Sequence, residues 1–227
     1  MQMNHKHQWV AMLALLLSAA VSGGSVAASP SGEPDPGLVE ALRAGGYVIY
    51  FRHASTHWEQ DDLVESLDDV SSCDGDRMRQ LTPQGRETSR RIGNAIRTLR
   101  IPIGQVLASE YCRTVETATL MQLGEVVTTR DVINARAARL LQGREHLAET
   151  ARARLSTPPV PGTNTVIVAH GNVFVLAAGT RPPEAGAAVV RPDGASGFEI
   201  VAMLDAEDWS SLLAAEQASI PLPAHAD

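Results

Sequence analysis

The sequence predicts an α/β domain, a three-layer sandwich whose mostly parallel sheet carries helices on both faces. Three observations lead there. Residues 47–51, 105–109 and 165–169 are short apolar runs rich in Val, Ile and Ala, the pattern of strands buried on both faces. Helical signals separate them, and alternation of strand and helix implies a parallel sheet covered on each side. Each run also ends in residues suited to anions: Arg52-His53 after the first, Glu110-Tyr111-Cys112-Arg113 after the second, His170-Gly171 after the third. Ligands of open α/β sheets bind just outside the carboxyl ends of the strands, so the three endings are expected at one edge.

Taken in order, residues 1–28 read as a secretory signal peptide. Lys6, with His5 and His7, precedes an apolar stretch from Val10 to Val21, and both Ser25-Val26-Ala27 and Val26-Ala27-Ala28 resemble cleavage sites. The stretch is short for a membrane span; an uncleaved signal anchor is the alternative. Residues 29–36 read as a Ser/Pro/Gly linker. The domain is expected over 37–215. A helix near 36–44 is ended by Gly45-Gly46, and the strand 47–51 comes directly after. Residues 54–80 are polar, show no periodicity and read as a loop covering the strand ends. Thr82-Pro83 is a cap-then-proline helix start, with Ile92, Ile96 and Leu99 as the buried stripe. Strand 105–109, a helix over 113–122 and a strand over 125–129 come next. One helix is expected over 135–155, with Leu140, Leu141, Leu147 and Leu155 toward the core. A Pro/Gly loop leads to strand 165–169, a helix near 172–179, strands near 187–191 and 197–204, and a short helix over 205–214. Residues 216–227 read as a flexible tail.

The net charge is −7, from 19 basic and 26 acidic residues. Such a surface does not attract nucleic acid or anionic lipid, so neither a nucleic-acid partner nor stable membrane association after signal cleavage is expected. Phosphate affinity must be local. Lys6 is the sole lysine, and a mature chain without lysine forms no Schiff base with pyridoxal phosphate and uses no phosphate-loop lysine. Cys73 and Cys112 are the two cysteines; in an exported chain an even count suggests a disulfide, with two free thiols as the alternative. The bond would close a loop of about 40 residues, worth roughly 4 kcal/mol in the chain-entropy model, and would tether the neighbouring Arg113. A periplasmic or secreted location is expected. The oligomeric state is open.

Four phrases stand in fixed order: Phe51-Arg52-His53-Ala54, Leu81-Thr82-Pro83-Gln84-Gly85-Arg86, Ser109-Glu110-Tyr111-Cys112-Arg113-Thr114-Val115-Glu116-Thr117-Ala118, and Val168-Ala169-His170-Gly171-Asn172. Each alone is common; four in order are specific. Across residues 47–204 the chain resembles the histidine phosphatase superfamily, also called phosphoglycerate-mutase-like, and within it the exported bacterial branch. The resemblance implies a metal-independent phosphomonoesterase without a cofactor, acting on a small phosphorylated substrate such as an envelope sugar phosphate. It implies that His53 is the nucleophile; a neutral imidazole nitrogen is suited to in-line attack on phosphorus. Arg52 and Arg113 would hold phosphoryl oxygens through guanidinium forks. His170 would donate to the phosphoryl group as charge develops. Asn172 would position phosphate or solvent, or cap a helix.

The group that protonates the leaving oxygen is the weak link. Where one branch of the superfamily has Asp after the second histidine, this chain has Gly171-Asn172; where another has Glu after the Cys-Arg-Thr helix, it has Ala135 in Ile133-Asn134-Ala135-Arg136. Glu184 matches a Glu of exported members, with a solvated loop residue as the alternative; Glu145 is a poorer candidate. His57 and Arg79 are possible pocket residues. His53 and His57 would need a helix to share a metal, and the stretch between them comes after a strand, so no metal is expected. Arg86, Arg90 and Arg91 read as a charged helix face. A phosphomutase and a catalytically silent phosphate-binding or envelope-interaction protein are the competing readings.

Overall fold

The computed structural model describes Asp35, residues 37–194 and residues 197–219. The expected signal peptide, nearly all of the linker and residues 220–227 of the expected tail lie outside the described residues. Six strands and six α-helices succeed one another: α1 (Gly37–Ala44), β1 (Val48–Arg52), α2 (Pro83–Thr98), β2 (Ile103–Ser109), α3 (Cys112–Met121), β3 (Val126–Thr129), α4 (Arg144–Ser156), β4 (Asn164–Ala169), α5 (Gly171–Ala178), β5 (Ala187–Pro192), β6 (Phe198–Leu204) and α6 (Asp208–Ala218).

The strands form one sheet in the order β3-β2-β4-β1-β5-β6. β3, β2, β4 and β1 run parallel, while β5 is antiparallel to both β1 and β6. β4 is buried throughout and β1 nearly so, as expected of central strands covered on both faces. Successive side chains of β1 point to opposite faces: Ile49 and Phe51 join the layer of α1, α2, α3 and α6, while Val48 and Tyr50 join the layer of α4 and α5. These are the two cores of a three-layer sandwich. The register pairs Arg52 with Ala169 and Ala108 with Val168, so the carboxyl ends of β1, β4 and β2 finish side by side.

Two local features fix the course of the chain beyond β1. Thr82 caps α2 by accepting from the Gly85 amide at 2.9 Å, with Pro83 in the first turn. That first turn lies directly on the chain leaving His53: a Cβ on Gly85 would stand 2.3 Å from the Ser55 carbonyl oxygen, so only glycine fits. Ile92, Ile96 and Leu99 are fully buried, as their spacing predicts.

Two expected boundaries shift. The single helix expected over 135–155 is a short 3-10 turn, Ala138–Leu140, succeeded by α4 from Arg144. Gly143 stands between them at φ 97°, a conformation that favours glycine and interrupts the helix. The domain expected to end at 215 continues through Ala218, because α6 runs that far and Glu216 pairs with Arg43 at 2.6 Å. Residues 216–218 therefore belong to a helix and not to the tail.

Candidate active site

β1 delivers Arg52 and His53 to the sheet edge. The His53 amide donates to the Ala169 carbonyl at 2.9 Å, and its own carbonyl accepts from the Ala185 amide at 3.2 Å. The residue is 5% exposed. Nδ1 lies 2.8 Å from the Ala54 carbonyl oxygen, which only accepts, so Nδ1 carries the hydrogen and Nε2 keeps a lone pair. Burial, then the neighbouring Arg113, hold the ring well below the ordinary imidazole range; the Ala54 bond acts the other way, and Arg52 and Arg79 add to the lowering. His53 thus presents a neutral imidazole of defined tautomer near neutral pH, with the Nε2 lone pair available.

β4 ends at Ala169, and His170 begins α5 at 1% exposure, its ring 5.5 Å from that of His53. The Tyr50 hydroxyl, inside the sheet, donates to the His170 carbonyl at 2.9 Å and accepts from its amide at 3.2 Å. Asn134 Nδ2 lies 3.2 Å from His170 Nδ1, and Ser109 Oγ lies 2.9 Å from Nε2. With the asparagine amide donating, the hydrogen resides on Nε2 and is shared with Ser109. Burial first, then Arg113, His53 and Arg52, keep this ring well below the usual imidazole range too.

Arg113, in the first turn of α3, is 2% exposed and lies over the Tyr111 ring, 4.5 Å from its centroid. Its Nη1 and Nη2 donate to the two carboxylate oxygens of Asp62 at 2.8 and 3.0 Å. Asp62, on the 54–80 segment, has a side chain only 4% exposed and also accepts from the Arg79 amide at 3.2 Å. Arg79 Nη2 donates to Thr56 Oγ1. The Nε atoms of both Arg113 and Arg79 are buried with no acceptor among the described residues. Buried donors in native proteins nearly always have partners, and both residues line one cavity, where an anion would supply them.

These groups line a cavity of about 230 Å³ with Arg52, Arg136, Gly171, Asn172 and Arg181. Among the described residues, five guanidinium groups and a single carboxylate, Asp62, line it, in a chain whose net charge is −7. The attraction for an anion is local, as the composition requires. A larger cavity of about 800 Å³ lies beside α3 and the disulfide, lined by Cys73, Cys112, Val115 and Thr119 among others. Its arginines, Arg86 and Arg130, are committed to Glu116 and Glu110, and no imidazole of the described residues lines it. Both imidazoles, His53 and His170, line the smaller cavity.

Of the residues expected at the site, His53, His170, Arg52, Arg113, Asn172 and Arg79 come together. Asn172 is not the cap of α5, since His170 holds that position; its side chain ties down the loop after β3, donating to Asn134 Oδ1 at 2.9 Å and accepting from the Ala135 amide at 3.3 Å. Glu184 pairs with Arg52 at 2.9 Å, is 39% exposed and does not line the cavity. His57 does not line it either; its Nδ1 faces Glu59 at 3.2 Å. Glu145 lies in the first turn of α4, outside the lining. Cys73 and Cys112 are bonded, with Cα atoms 5.3 Å apart, tying the covering segment to the residue before Arg113. Arg86, Arg90 and Arg91 form ion pairs with Glu116, Glu87 and Glu207, a charged helix face as expected.

Sequence reasoning missed Asp62, Asn134, Arg136 and Arg181. Asp62 sits in a stretch without periodicity and carries no signal. Asn134 and Arg136 flank Ala135, where an acid would have been expected, so attention to its neighbours would have found them.

Residues 48–158 match the family model described as histidine phosphatase superfamily (branch 1). A search of curated proteins finds no match. Among solved structures, an Escherichia coli K-12 protein assigned as an alpha-ribazole-5'-P phosphatase is 15% identical, covering 71% of this chain and 98% of its own, with a TM-score of 0.52. The phosphoserine phosphatase of Entamoeba histolytica, in complex with 3-phosphoglyceric acid, is 12% identical, covering 72% of this chain and 98% of its own, with a TM-score of 0.49. A SixA protein histidine phosphatase complexed with tungstate is 15% identical, covering 70% of this chain and 97% of its own, with a TM-score of 0.46. At such identities the first of these speaks for the fold alone. Residues 48–158, just under half of the chain, thus match the histidine phosphatase superfamily, and the cationic cavity at the ends of β1, β2 and β4 is in keeping with that match.

Proposed function

We propose that this phosphatase hydrolyses phosphate monoesters through a phosphohistidine on His53, without a metal. The observation that carries the reading is the state of His53: buried, neutral, its Nδ1 hydrogen fixed on the Ala54 carbonyl, beside Arg52 and Arg113. In the first step the Nε2 lone pair attacks phosphorus. The bond to the ester oxygen breaks on the opposite side, and its electron pair leaves with that oxygen. Arg52, Arg79 and Arg113 hold the equatorial oxygens. The His170 Nε2 hydrogen, shared with Ser109 Oγ in the free enzyme, turns to the phosphoryl group as charge builds. In the second step water attacks phosphorus, loses a proton, and returns the electron pair to Nε2. Preorganised donors of this kind contribute about 3–4 kcal/mol each.

The N-terminal segment supports export, to the periplasm or the medium, where envelope sugar phosphates are a fitting substrate class. Export also speaks against mutase chemistry, which needs a second phosphorylated metabolite. The test is turnover of an aryl phosphate by the full chain in the presence of chelator. Hydrolysis to free phosphate by the native protein and none by folded His53→Ala is expected. Equal turnover by the variant, or loss of activity with chelator, overturns the reading.

A further inference from the structure

The proton for the leaving oxygen has no obvious source in the sequence, and the structure offers one. Asp62 is the only carboxylate among the described residues lining the phosphate cavity. Glu184 is outside the lining and committed to Arg52. Asp62 grips both terminal nitrogens of Arg113 in two parallel bonds, the arrangement that two oxygens of a phosphoryl group also adopt on a guanidinium fork. Its remaining bond is a single one, from the Arg79 amide at 3.2 Å. The segment carrying it is held over the site by the Cys73–Cys112 bond.

We propose that Asp62 is the acid and base of the reaction, holding the place of the phosphoryl group on Arg113 until substrate arrives. This rests on the phosphohistidine reading above. A dianionic ester takes over the Arg113 fork. Asp62 then has lost its countercharge, lies beside a dianion, and is shielded from water. In that place it carries one proton, taken up from solvent as the substrate enters. As the bond from phosphorus to His53 Nε2 forms and the bond from phosphorus to the ester oxygen breaks, that oxygen receives the Asp62 proton. The resulting carboxylate accepts a proton from the water that attacks the phosphohistidine. When phosphate leaves, Asp62 gives the proton back to solvent and closes again on Arg113. Substrate arrival and arming of the acid are thus one exchange of partners.

The test compares two esters whose leaving groups differ in their need for a proton: 2,4-dinitrophenyl phosphate, which needs none, and a simple alkyl phosphate, which does. General acid catalysis contributes about 10²–10⁴-fold. Read in single turnovers as the rate at which the phosphohistidine forms, a step that precedes the attack of water, Asp62→Asn should lose that factor on the alkyl ester, with loss of the basic limb of its pH profile, and fall by less than about tenfold on the dinitrophenyl ester. Vanadate, which mimics the phosphoryl group, should bind Asp62→Asn at least as tightly as the native protein, because the competing carboxylate is gone. Equal losses on both esters, or weakened vanadate binding, would show that Asp62 only positions Arg113 and would overturn the proposal. So would selective loss on the alkyl ester in Glu184→Gln in place of Asp62→Asn. A His53→Ala enzyme that still turns over either ester refutes the phosphohistidine reading itself, a separate outcome.

Discussion

Replacing Arg113 by methionine removes the partner of a carboxylate that is only 4% exposed. Two short bonds join the pair, at 2.8 and 3.0 Å, and both side chains lie inside the site. Breaking a buried pair from one side costs about 3–5 kcal/mol, because the remaining charge is left without compensation. For a domain of this size 1 kcal/mol moves Tm by about 2–4 °C, so Arg113→Met should lower Tm by about 6–20 °C. Removing both charges is different: apolar replacement of a whole buried pair is often neutral or stabilising. Arg113→Met combined with Asp62→Leu should therefore recover most of the lost stability while remaining inactive, since the phosphoryl fork is gone. Urea unfolding of the native protein, both single variants and the double variant closes the cycle. Strict additivity of the single losses, or a loss below about 1 kcal/mol for Arg113→Met, would refute the view of the pair as a desolvated and mutually dependent unit.

The same structure sets three further outcomes. His53 and His170 are held neutral by burial and by Arg113, so the unfolded chain, whose imidazoles titrate near about 6.5, binds protons that the folded chain refuses; stability is complete above that pH and declines as pH falls from it toward the depressed folded values, with a slope approaching about 2.7 kcal/mol per pH unit when both rings contribute. Urea melts between pH 7.5 and 4.5 check this, and stability that rises on acidification contradicts it. The Cys73–Cys112 bond closes a separation of 39 residues, worth about 4 kcal/mol by chain entropy; the paired serine variant should lose that in urea and show a raised KM, because Asp62 and Arg79 ride on the tethered segment, whereas unchanged stability and KM would speak against the tether. Gly85→Ala forces a Cβ to within 2.3 Å of the Ser55 carbonyl oxygen, a backbone clash costing about 1–3 kcal/mol two residues from His53, and native Tm and kcat in this variant would show that α2 does not fix the nucleophile.

Much of this was legible in the sequence for a physical reason. Strands buried on both faces must be continuous apolar runs, so residues 47–51, 105–109 and 165–169 announce both the sheet and its anion-facing ends. The cap at Thr82, the stripe of Ile92, Ile96 and Leu99, and the pairing of the only two cysteines are equally local or arithmetical. Asp62 was not legible. It meets Arg113 across 51 residues from a segment whose shape is set by tertiary contacts and a disulfide, leaving no periodic trace. Glu184 shows the opposite limit: its place in the chain suggests an acid, and the structure gives it to Arg52 at the rim. The interrupted helix over 135–155 escapes a reading by leucine spacing, which outweighs Gln142-Gly143, although a glycine at positive φ ends a helix whatever its apolar pattern.

The central claim is covalent, and it is tested by trapping. Native protein quenched during turnover of an aryl phosphate should carry one phosphoryl group that is labile in acid and stable in base, located by mass spectrometry on the peptide containing His53 and absent from His53→Ala. A phosphoryl group on another residue, or hydrolysis that proceeds with no phosphorylated protein under rapid quench, would contradict the account.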